Sequence, residues 1–171
     1  MSYSIKGLYL ITPDTDDTDW LCAQITRALV GGVQLVQYRH KTATPALRQH
    51  QASALLTLCR AAGVPLIIND HVSLAQALDA DGVHVGQQDS AVAEARALLG
   101  PDKIVGASCY NQLALALQAQ AAGASYAAFG ACYPSPTKPH APRATAALFT
   151  QARQSVRLPL VAIGGLTADN A

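Results

Sequence analysis

The chain is poor in charged residues, and it has no cluster of lysines and arginines. Charged side chains make up 13% of its 171 residues, and the formal net charge is +1. A protein that binds nucleic acid needs lysines and arginines concentrated on one face, whereas here they are scattered along the chain. The composition therefore argues against a nucleic-acid partner, and any phosphate must be bound in a focused pocket. Because half of the residues are apolar, a disordered, charge-rich chain is also excluded.

Long hydrophobic runs and paired cysteines are missing as well. No apolar run reaches the roughly 18 residues that a membrane-spanning helix needs, and the N-terminal residues contain no signal-like apolar stretch. The four cysteines show neither C-x-x-C spacing nor a zinc-finger arrangement with histidine. We interpret them as reduced thiols, and we expect a cytoplasmic protein with no membrane partner.

The chain does contain short apolar runs that alternate with longer amphipathic stretches. The apolar runs predict seven buried parallel strands, at Gly7–Ile11, Leu35–Tyr38, Leu66–Ile68, Gly82–Val85, Ile104–Ala107, Tyr126–Phe129 and Leu160–Ile163. The amphipathic stretches predict six helices, at Thr18–Val30, Pro45–Ala62, Val72–Leu78, Ala91–Leu99, Asn111–Ala122 and Ala144–Ser155, with Asn111 as a capping residue. The composition does not shift along this βα order, so we predict one α/β domain over residues 1–171.

The positions of polar residues favour a barrel over an open, doubly wound sheet. Polar side chains follow nearly every predicted strand, and a (β/α)₈ barrel brings all of its strand C-termini to one mouth, whereas an open sheet gathers ligand groups near its switch point. We therefore predict a TIM-type (β/α)₈ barrel. Only seven strands are found, and a complete barrel typically has about 200 or more residues. We expect the last α/β/α portion to be absent and the domain to be C-terminally incomplete.

The end of the second predicted strand carries two cations and an amide. Alternation along the strand is expected to place Gln37, Arg39 and Lys41 on one side, toward the barrel mouth. Arginine offers a fixed fork of donors for phosphate oxygens, and lysine offers a mobile point charge. These residues predict a phosphate-binding group, and the alternative is a solvated strand end.

Two aspartates follow neighbouring strands. Asp70 comes after the third strand and Asp89 after the fourth, so their carboxylates can approach each other. Mg²⁺ is commonly held by one or two carboxylates together with substrate phosphates and water. The pair predicts a magnesium site, and the alternative is that each aspartate caps the following helix. His84 lies inside the fourth strand, where it is either a ligand-binding residue or a hydrogen-bonded core histidine.

Further candidates follow the sixth and seventh strands. Ser135, Thr137 and Lys138 can offer hydrogen bonds and a charge to a phosphate, although an ordinary proline-rich loop would look the same. Gly164 and Gly165 end the seventh strand, where bare backbone N–H groups can approach an anion.

Six ordered motifs resemble one family. The segments Gln-Tyr-Arg-His-Lys, Ile-Asn-Asp-His, Gly-Val-His-Val-Gly-Gln-Gln-Asp, Gly-Ala-Ser-Cys-Tyr-Asn, Pro-Ser-Pro-Thr-Lys-Pro and Val-Ala-Ile-Gly-Gly-Leu occur in the order found in the thiamine-phosphate synthase (thiamine-phosphate pyrophosphorylase) family. The resemblance covers Gly7 to Ala171. It implies an α/β barrel, Mg²⁺ as cofactor, and a transferase of thiamine biosynthesis. Such an enzyme joins 4-amino-2-methyl-5-hydroxymethylpyrimidine diphosphate to 4-methyl-5-(2-phosphoethyl)thiazole and releases pyrophosphate.

The resemblance also implies a role for each matching residue. The pyrimidine diphosphate would be bound by Gln37, Arg39, Lys41 and Asn69, and the pyrimidine would be flanked by Tyr9 and His84. The metal ligands would be Asp70 and Asp89. The departing pyrophosphate would be held by Ser108 and Lys138, and the thiazole phosphate by Ser135, Thr137 and Gly165. Arg39, Lys41, Ser108 and Lys138 are thus the expected catalytic residues; the oligomeric state is left open, with a homo-oligomer as one option.

Two departures from the family pattern keep alternatives open. Ser108-Cys109-Tyr110 stands where many members have Ser-Thr-His, and the family's last strand with its serine-bearing phosphate loop has no counterpart here. One alternative is thiazole tautomerase, a related barrel that uses a histidine in the loop where this chain has Tyr110. The other is a degenerate, non-catalytic barrel that only binds a ligand.

Overall fold

A computed structural model of the chain describes residues 5–86, 91–134 and 142–170. Strands and helices alternate through these residues, which confirms the predicted α/β class. The strands are β1 (Tyr9–Ile11), β2 (Leu35–Tyr38), β3 (Leu66–Asn69), β4 (Gly82–Val85), β5 (Ile104–Tyr110), β6 (Tyr126–Gly130) and β7 (Leu160–Ile163). The helices are α1 (Thr18–Val30), α2 (Pro45–Ala61), α3 (Val72–Ala77), α4 (Ala91–Leu99), α5 (Leu113–Ala121) and α6 (Ala146–Ser155). The (β/α)₈ closure and the absence of its last portion stay predictions.

Four predicted boundaries are wrong by more than one residue. β1 begins at Tyr9 instead of Gly7, and α6 begins at Ala146 instead of Ala144. The other two lie at the end of β5 and at the start of α5. β5 continues to Tyr110 instead of ending at Ala107, and its pairing with β6 shifts register between Ser108 and Tyr110. The strand takes up this irregularity at Tyr110, whose φ is 51°. α5 consequently begins at Leu113, and the predicted cap at Asn111 is wrong because the N-cap position is Gln112, which makes no side-chain capping bond.

The chain divides into two compact units, and the first comprises Met1–His84 with Ala97–Ile104. Its strands β1, β2, β3 and β4 are parallel and pair in chain order. In β3, Leu66, Ile67 and Ile68 are all fully buried. Burial of successive residues means that both faces of the strand are covered, which explains its continuous apolar sequence.

Side-chain caps determine where the first two helices begin. The Asp17 carboxylate accepts a hydrogen bond of 2.9 Å from the Trp20 backbone N–H. The Thr44 hydroxyl accepts one of 3.2 Å from Leu47, and Pro45 occupies the first turn. These caps satisfy helix N–H groups that lack an intrahelical partner. They leave two short loops after β1 and β2, Thr12–Asp17 and Arg39–Thr44.

The second unit comprises Val85–Arg96 with Val105–Ala171. Its parallel strands β5, β6 and β7 also pair in chain order. Phe129 is fully buried and meets Phe149 of α6 edge-on, with ring centroids 5.5 Å apart. Gly106 of β5 packs against the ring of Tyr126. A Cβ atom at position 106 would overlap that ring. The predicted single domain over residues 1–171 stays a prediction.

Among the described residues, no helix is long and apolar enough to cross a membrane. All four cysteines are free, as the sequence indicated. Burial raises the pKa of the Cys59 thiol to about 12 and that of Cys109 to about 11. Both groups are therefore protonated at neutral pH and are poor nucleophiles.

Candidate functional site

Tyr9 and Gln37 are brought together on neighbouring strands of the first unit. β1 pairs with β2 so that Ile11 lies opposite Gln37. The Gln37 side chain is buried, with the residue only 3% exposed, and its Nε2 donates a 2.7 Å hydrogen bond to the Tyr9 hydroxyl. A buried amide held in this way has a defined orientation.

β2 ends at Tyr38, where the backbone enters the loop that precedes α2. Strand alternation therefore applies to Gln37 but not to Arg39 and Lys41, and the convergence of these three side chains stays a prediction. Arg39 and Lys41 are nevertheless connected through one carboxylate. Asp14 Oδ1 accepts a 3.1 Å bond from Arg39 Nη1 and a 3.4 Å bond from the Lys41 backbone N–H.

Asn69 and Asp70 end β3 as a hydrogen-bonded pair. Asn69 Nδ2 donates to Asp70 Oδ2 at 2.8 Å, and the Asp70 backbone N–H donates to the His84 carbonyl at 2.8 Å. Asp70 has a φ of 60°, a conformation that aspartate tolerates better than most residues. The alternative that Asp70 caps α3 is wrong, because His71 occupies the N-cap position of that helix. The Asp70 carboxylate is thus exposed at the strand end.

His84 lies one strand away, opposite Asn69 in the pairing of β3 with β4. The residue is only 8% exposed. Burial lowers the pKa of His84 to about 4, and the Asp70 carboxylate acts in the opposite direction. His84 is therefore neutral at physiological pH, and it can offer a hydrogen bond or a flat apolar face to a ligand but no positive charge.

One of the two predicted magnesium ligands lies within the described residues. Asp70 has an exposed carboxylate, whereas Asp89 lies outside the described residues. Within residues 5–86, 91–134 and 142–170, no three histidine, cysteine, aspartate or glutamate side chains form a metal-binding group. Mg²⁺ needs only one or two protein carboxylates when phosphates and water complete its shell, so the donor type of Asp70 fits this ion.

The second unit contributes two of the predicted residues. Ser108 is half-buried in β5, at the register shift described above. Gly165 follows β7 and has a φ of 70°. The other predicted residues of this unit lie outside the described residues; they are Asp89, Ser135, Thr137 and Lys138.

Close packing accounts for glycine at position 165. A Cβ atom there would lie 2.6 Å from the carbonyl oxygens of both Tyr133 and Pro134. The neighbouring backbone is joined by hydrogen bonds, from Cys132 N–H to the Ile163 carbonyl at 2.9 Å and from Tyr133 N–H to the Gly164 carbonyl at 2.8 Å. The residues after β7 are thus attached to the residues after β6, whatever ligand binds there.

The sequence interpretation missed a set of polar residues that hold the β1–α1 loop, Thr12–Asp17, against the residues around the end of β2. Its members are Thr12, Asp14, Asp16 and Gln51. The Thr12 hydroxyl exchanges two bonds with the Arg39 backbone, accepting from N–H at 2.9 Å and donating to the carbonyl at 3.0 Å. Asp16 Oδ1 lies 3.1 Å from His40 Nε2. The signal was the run Thr12 to Asp17 directly after the first strand, at the same sheet edge as the other polar residues.

Comparison with known proteins gives one consistent result. The family profile described as thiamine monophosphate synthase matches residues 8–171. A thiamine-phosphate synthase from Methylobacillus flagellatus is 60% identical over 98% of this chain and 79% of its own length. The corresponding protein of Thiobacillus denitrificans is 56% identical over 96% and 78%. Among solved structures, the thiamine phosphate pyrophosphorylase from Pyrococcus furiosus superimposes with a TM-score of 0.80 at 32% identity, covering 95% of this chain and 77% of that one.

Proposed function

The chain belongs to the thiamine monophosphate synthase family and is a transferase of thiamine biosynthesis. We propose the following roles for its residues in the reaction of that enzyme. The reaction joins 4-amino-2-methyl-5-hydroxymethylpyrimidine diphosphate to 4-methyl-5-(2-phosphoethyl)thiazole, with pyrophosphate as the second product. The observation that carries the assignment of roles is the arrangement in the first unit. Arg39 follows β2 and Asn69–Asp70 end the adjacent parallel strand β3, so they share one edge of the sheet.

Arg39 and Lys41 bind the diphosphate. When the bond between the pyrimidine-bearing carbon and the diphosphate oxygen breaks, negative charge grows on the leaving group. Cations that are already in place stabilise this charge without reorganisation, and electrostatic stabilisation of this kind is usually the largest single term in catalysis. Ser108 and Lys138 are proposed, from the resemblance to the family, to hold the departing pyrophosphate.

Asp70 and Asp89 would hold Mg²⁺. The exposed, acceptor-only carboxylate of Asp70 at the end of β3 supports this role. When bound, the ion supplies positive charge to the phosphate oxygens. Asn69 is proposed to bind the pyrimidine diphosphate. Its amide also donates to Asp70 Oδ2, which gives the metal-binding carboxylate a defined orientation.

The pyrimidine ring is recognised by neutral groups. Gln37, oriented by the Tyr9 hydroxyl, can form complementary hydrogen bonds with an aminopyrimidine edge. His84 is neutral because burial lowers its pKa, so it does not repel the cation that develops on the pyrimidine. The buried position of Gln37 and His84 makes water a poor competitor for these contacts.

The thiazole phosphate is assigned to Ser135, Thr137 and Gly165. The thiazole nitrogen already carries a lone pair, so the carbon–nitrogen bond forms without a general base. Placement of the two substrates then supplies much of the acceleration. Both substrates are small molecules. A cytoplasmic location agrees with the four free cysteines.

The decisive experiment follows both products from the two substrates. Purified protein is incubated with the pyrimidine diphosphate, the thiazole phosphate and Mg²⁺, and thiamine phosphate and pyrophosphate are quantified together. The two products should form in equal amounts. Omission of either substrate or addition of a chelator should abolish both. In a parallel assay, the protein is given the thiazole tautomer instead. Aromatisation of that tautomer, with no pyrophosphate released from the two synthase substrates, would contradict the proposal and favour a tautomerase. Binding of substrates without any turnover would favour a non-catalytic barrel.

A further inference from the structure

We propose that Asp14 is a positioning residue, which holds the Arg39 guanidinium and the loop around Lys41 in the conformation that binds the diphosphate. The inference rests on the proposed function, because Arg39 and Lys41 are assigned to the diphosphate there. It concerns a residue of the β1–α1 loop, to which neither the family motifs nor the sequence interpretation gives a role.

The hydrogen bonds of Arg39 with residues that the structure describes all involve this loop. Its backbone is fixed at N–H and at the carbonyl by the Thr12 hydroxyl, and Thr12 is only 2% exposed. Its guanidinium is fixed by Asp14, through the 3.1 Å bond from Nη1 to Oδ1. One arginine is therefore held at both ends by residues two positions apart in the same loop.

The loop itself is anchored independently of Asp14. Gln51 of α2 donates from Nε2 to the Thr15 carbonyl at 2.9 Å and accepts on Oε1 from the Tyr38 hydroxyl at 2.8 Å. Asp16 meets the nearly inaccessible His40 side chain, which is 2% exposed. Removal of the Asp14 carboxylate should thus release Arg39 without releasing the loop, because these other attachments persist.

A carboxylate beside an anion site has two opposing effects. Its negative charge repels the diphosphate, whereas its oxygen keeps Arg39 in one rotamer and so reduces the entropy lost when the ligand binds. A guanidinium has five N–H donors, so one bond to Asp14 leaves others for phosphate. We expect positioning to dominate, because the same Asp14 oxygen holds both the Arg39 guanidinium and the Lys41 backbone N–H.

The two effects are separated by comparing Asp14→Asn with Asp14→Ala. Asparagine removes the charge but keeps an oxygen acceptor of the same geometry, whereas alanine removes both. Binding of inorganic pyrophosphate in the presence of Mg²⁺ is measured by titration calorimetry on the full chain. We expect Asp14→Asn to bind at least as tightly as the unsubstituted protein, and Asp14→Ala to bind about three- to tenfold more weakly than Asp14→Asn.

Asp19→Ala is the matched charge control. Asp19 is an exposed acidic residue in the first turn of α1, and its removal lowers the negative charge of the same region without touching Arg39. A direct readout of positioning is the Arg39 Nε–H signal in ¹⁵N-labelled protein, identified with an Arg39→Lys variant. Its heteronuclear NOE should fall in Asp14→Ala and persist in Asp14→Asn and Asp19→Ala.

Each result bears on a distinct claim. Pyrophosphate binding by Asp14→Ala that equals or exceeds that of Asp14→Asn would overturn the positioning role alone, with the proposed function intact. A failure of the unsubstituted protein to bind pyrophosphate with Mg²⁺ would overturn the diphosphate site and the role of Asp14 together. Equal thermal midpoints for the three variants and the unsubstituted protein, together with the expected binding ratio, would support positioning over a general loss of structure.

Discussion

At the scale of single residues, Asp70 combines an unusual backbone conformation with an exposed carboxylate. It does not cap the helix that follows, and Asn69 holds one of its oxygens. We expect Asp70→Ala to reduce turnover at least about a hundredfold, because stabilisation of the leaving pyrophosphate is lost. The measurement is the steady-state rate of thiamine phosphate formation over a range of Mg²⁺ concentrations.

Asp102→Ala is the control for this substitution, since Asp102 is exposed and precedes β5 instead of ending a strand. It should retain the full rate and the same Mg²⁺ dependence. Both variants should unfold within a few degrees of the unsubstituted protein. A rate for Asp70→Ala close to that of the control would remove Asp70 from the metal site.

Gly165 allows a second prediction at this scale, because a matched glycine exists. Gly63 has a φ of 68° and open space around it, whereas Gly165 has a φ of 70° and two carbonyl oxygens where its Cβ would lie. Gly63→Ala should lower the free energy of unfolding by about 1 kcal/mol, the cost of a left-handed conformation. Gly165→Ala should cost about 2 kcal/mol more, because backbone must move.

Urea denaturation of both variants measures this difference directly. Equal losses would mean that the segment after β7 can move away from Tyr133 and Pro134 without cost. The close approach of Gly165 to these two carbonyl oxygens would then have no energetic consequence.

At the scale of elements, α2 is joined to β2 and to the β1–α1 loop by one buried amide. Gln51 is fully buried and accepts from Tyr38, whose pKa burial raises to about 12. Gln51→Leu would leave the Tyr38 hydroxyl and the Thr15 carbonyl without their partner. We expect a loss of about 2–4 kcal/mol in the free energy of unfolding, because buried polar groups without partners are costly.

A double-mutant cycle tests the origin of that loss. In a Tyr38→Phe background the same change at Gln51 should cost about 1 kcal/mol less, since one of the orphaned groups is gone. Additive effects would show that the Tyr38–Gln51 bond makes no separate contribution. The cycle also checks the attachment of the loop that carries Asp14.

At the scale of the whole molecule, stability should depend on pH through His84. Its pKa is about 4 in the folded chain and about 6.5 when unfolded, so the unfolded state binds more protons between these values. The contribution of His84 to the free energy of unfolding is fully present above pH 6.5. It decreases as the pH falls toward 4, and about 3 kcal/mol has been lost at pH 4. Asp70 faces His84 and opposes the shift without reversing it.

Comparison with His84→Asn isolates this contribution. Urea midpoints are measured between pH 4 and pH 7 for both proteins, and the unsubstituted protein should lose more stability on acidification. His71, whose pKa is also lowered, mainly by burial, contributes with the same sign in both proteins and cancels in the comparison. Parallel pH profiles would contradict the neutral, buried state of His84.

The sequence predicted those elements whose ends carry local signals. β2, β4, β7, α1 and α4 were placed correctly to the residue, since apolar runs, caps and glycines mark their limits. The start of α5 was misplaced because the register shift in β5 depends on pairing with β6, which no local pattern reveals. The α/β class followed from the alternation alone, and the family followed from six ordered motifs.

The roles of the site residues stay predictions, and the sequence could not show how these residues are connected. His84 is buried and neutral, and Asp70 is exposed. The bonds from Asp14 to Arg39 and from Gln51 to Thr15 join residues 25 and 36 positions apart. Such contacts depend on how two loops meet in space, and hydrophobic periodicity contains no information about that.

The contact between Gly106 and the ring of Tyr126 also bears on how the sequence can diverge. The ring occupies the volume that a side chain at position 106 would need, so the two positions share one fixed amount of space. A lineage that acquires a larger residue at one position can retain it only by reducing the other. Among related sequences, the residues at positions 106 and 126 are therefore expected to covary, so that their combined side-chain volume stays constant.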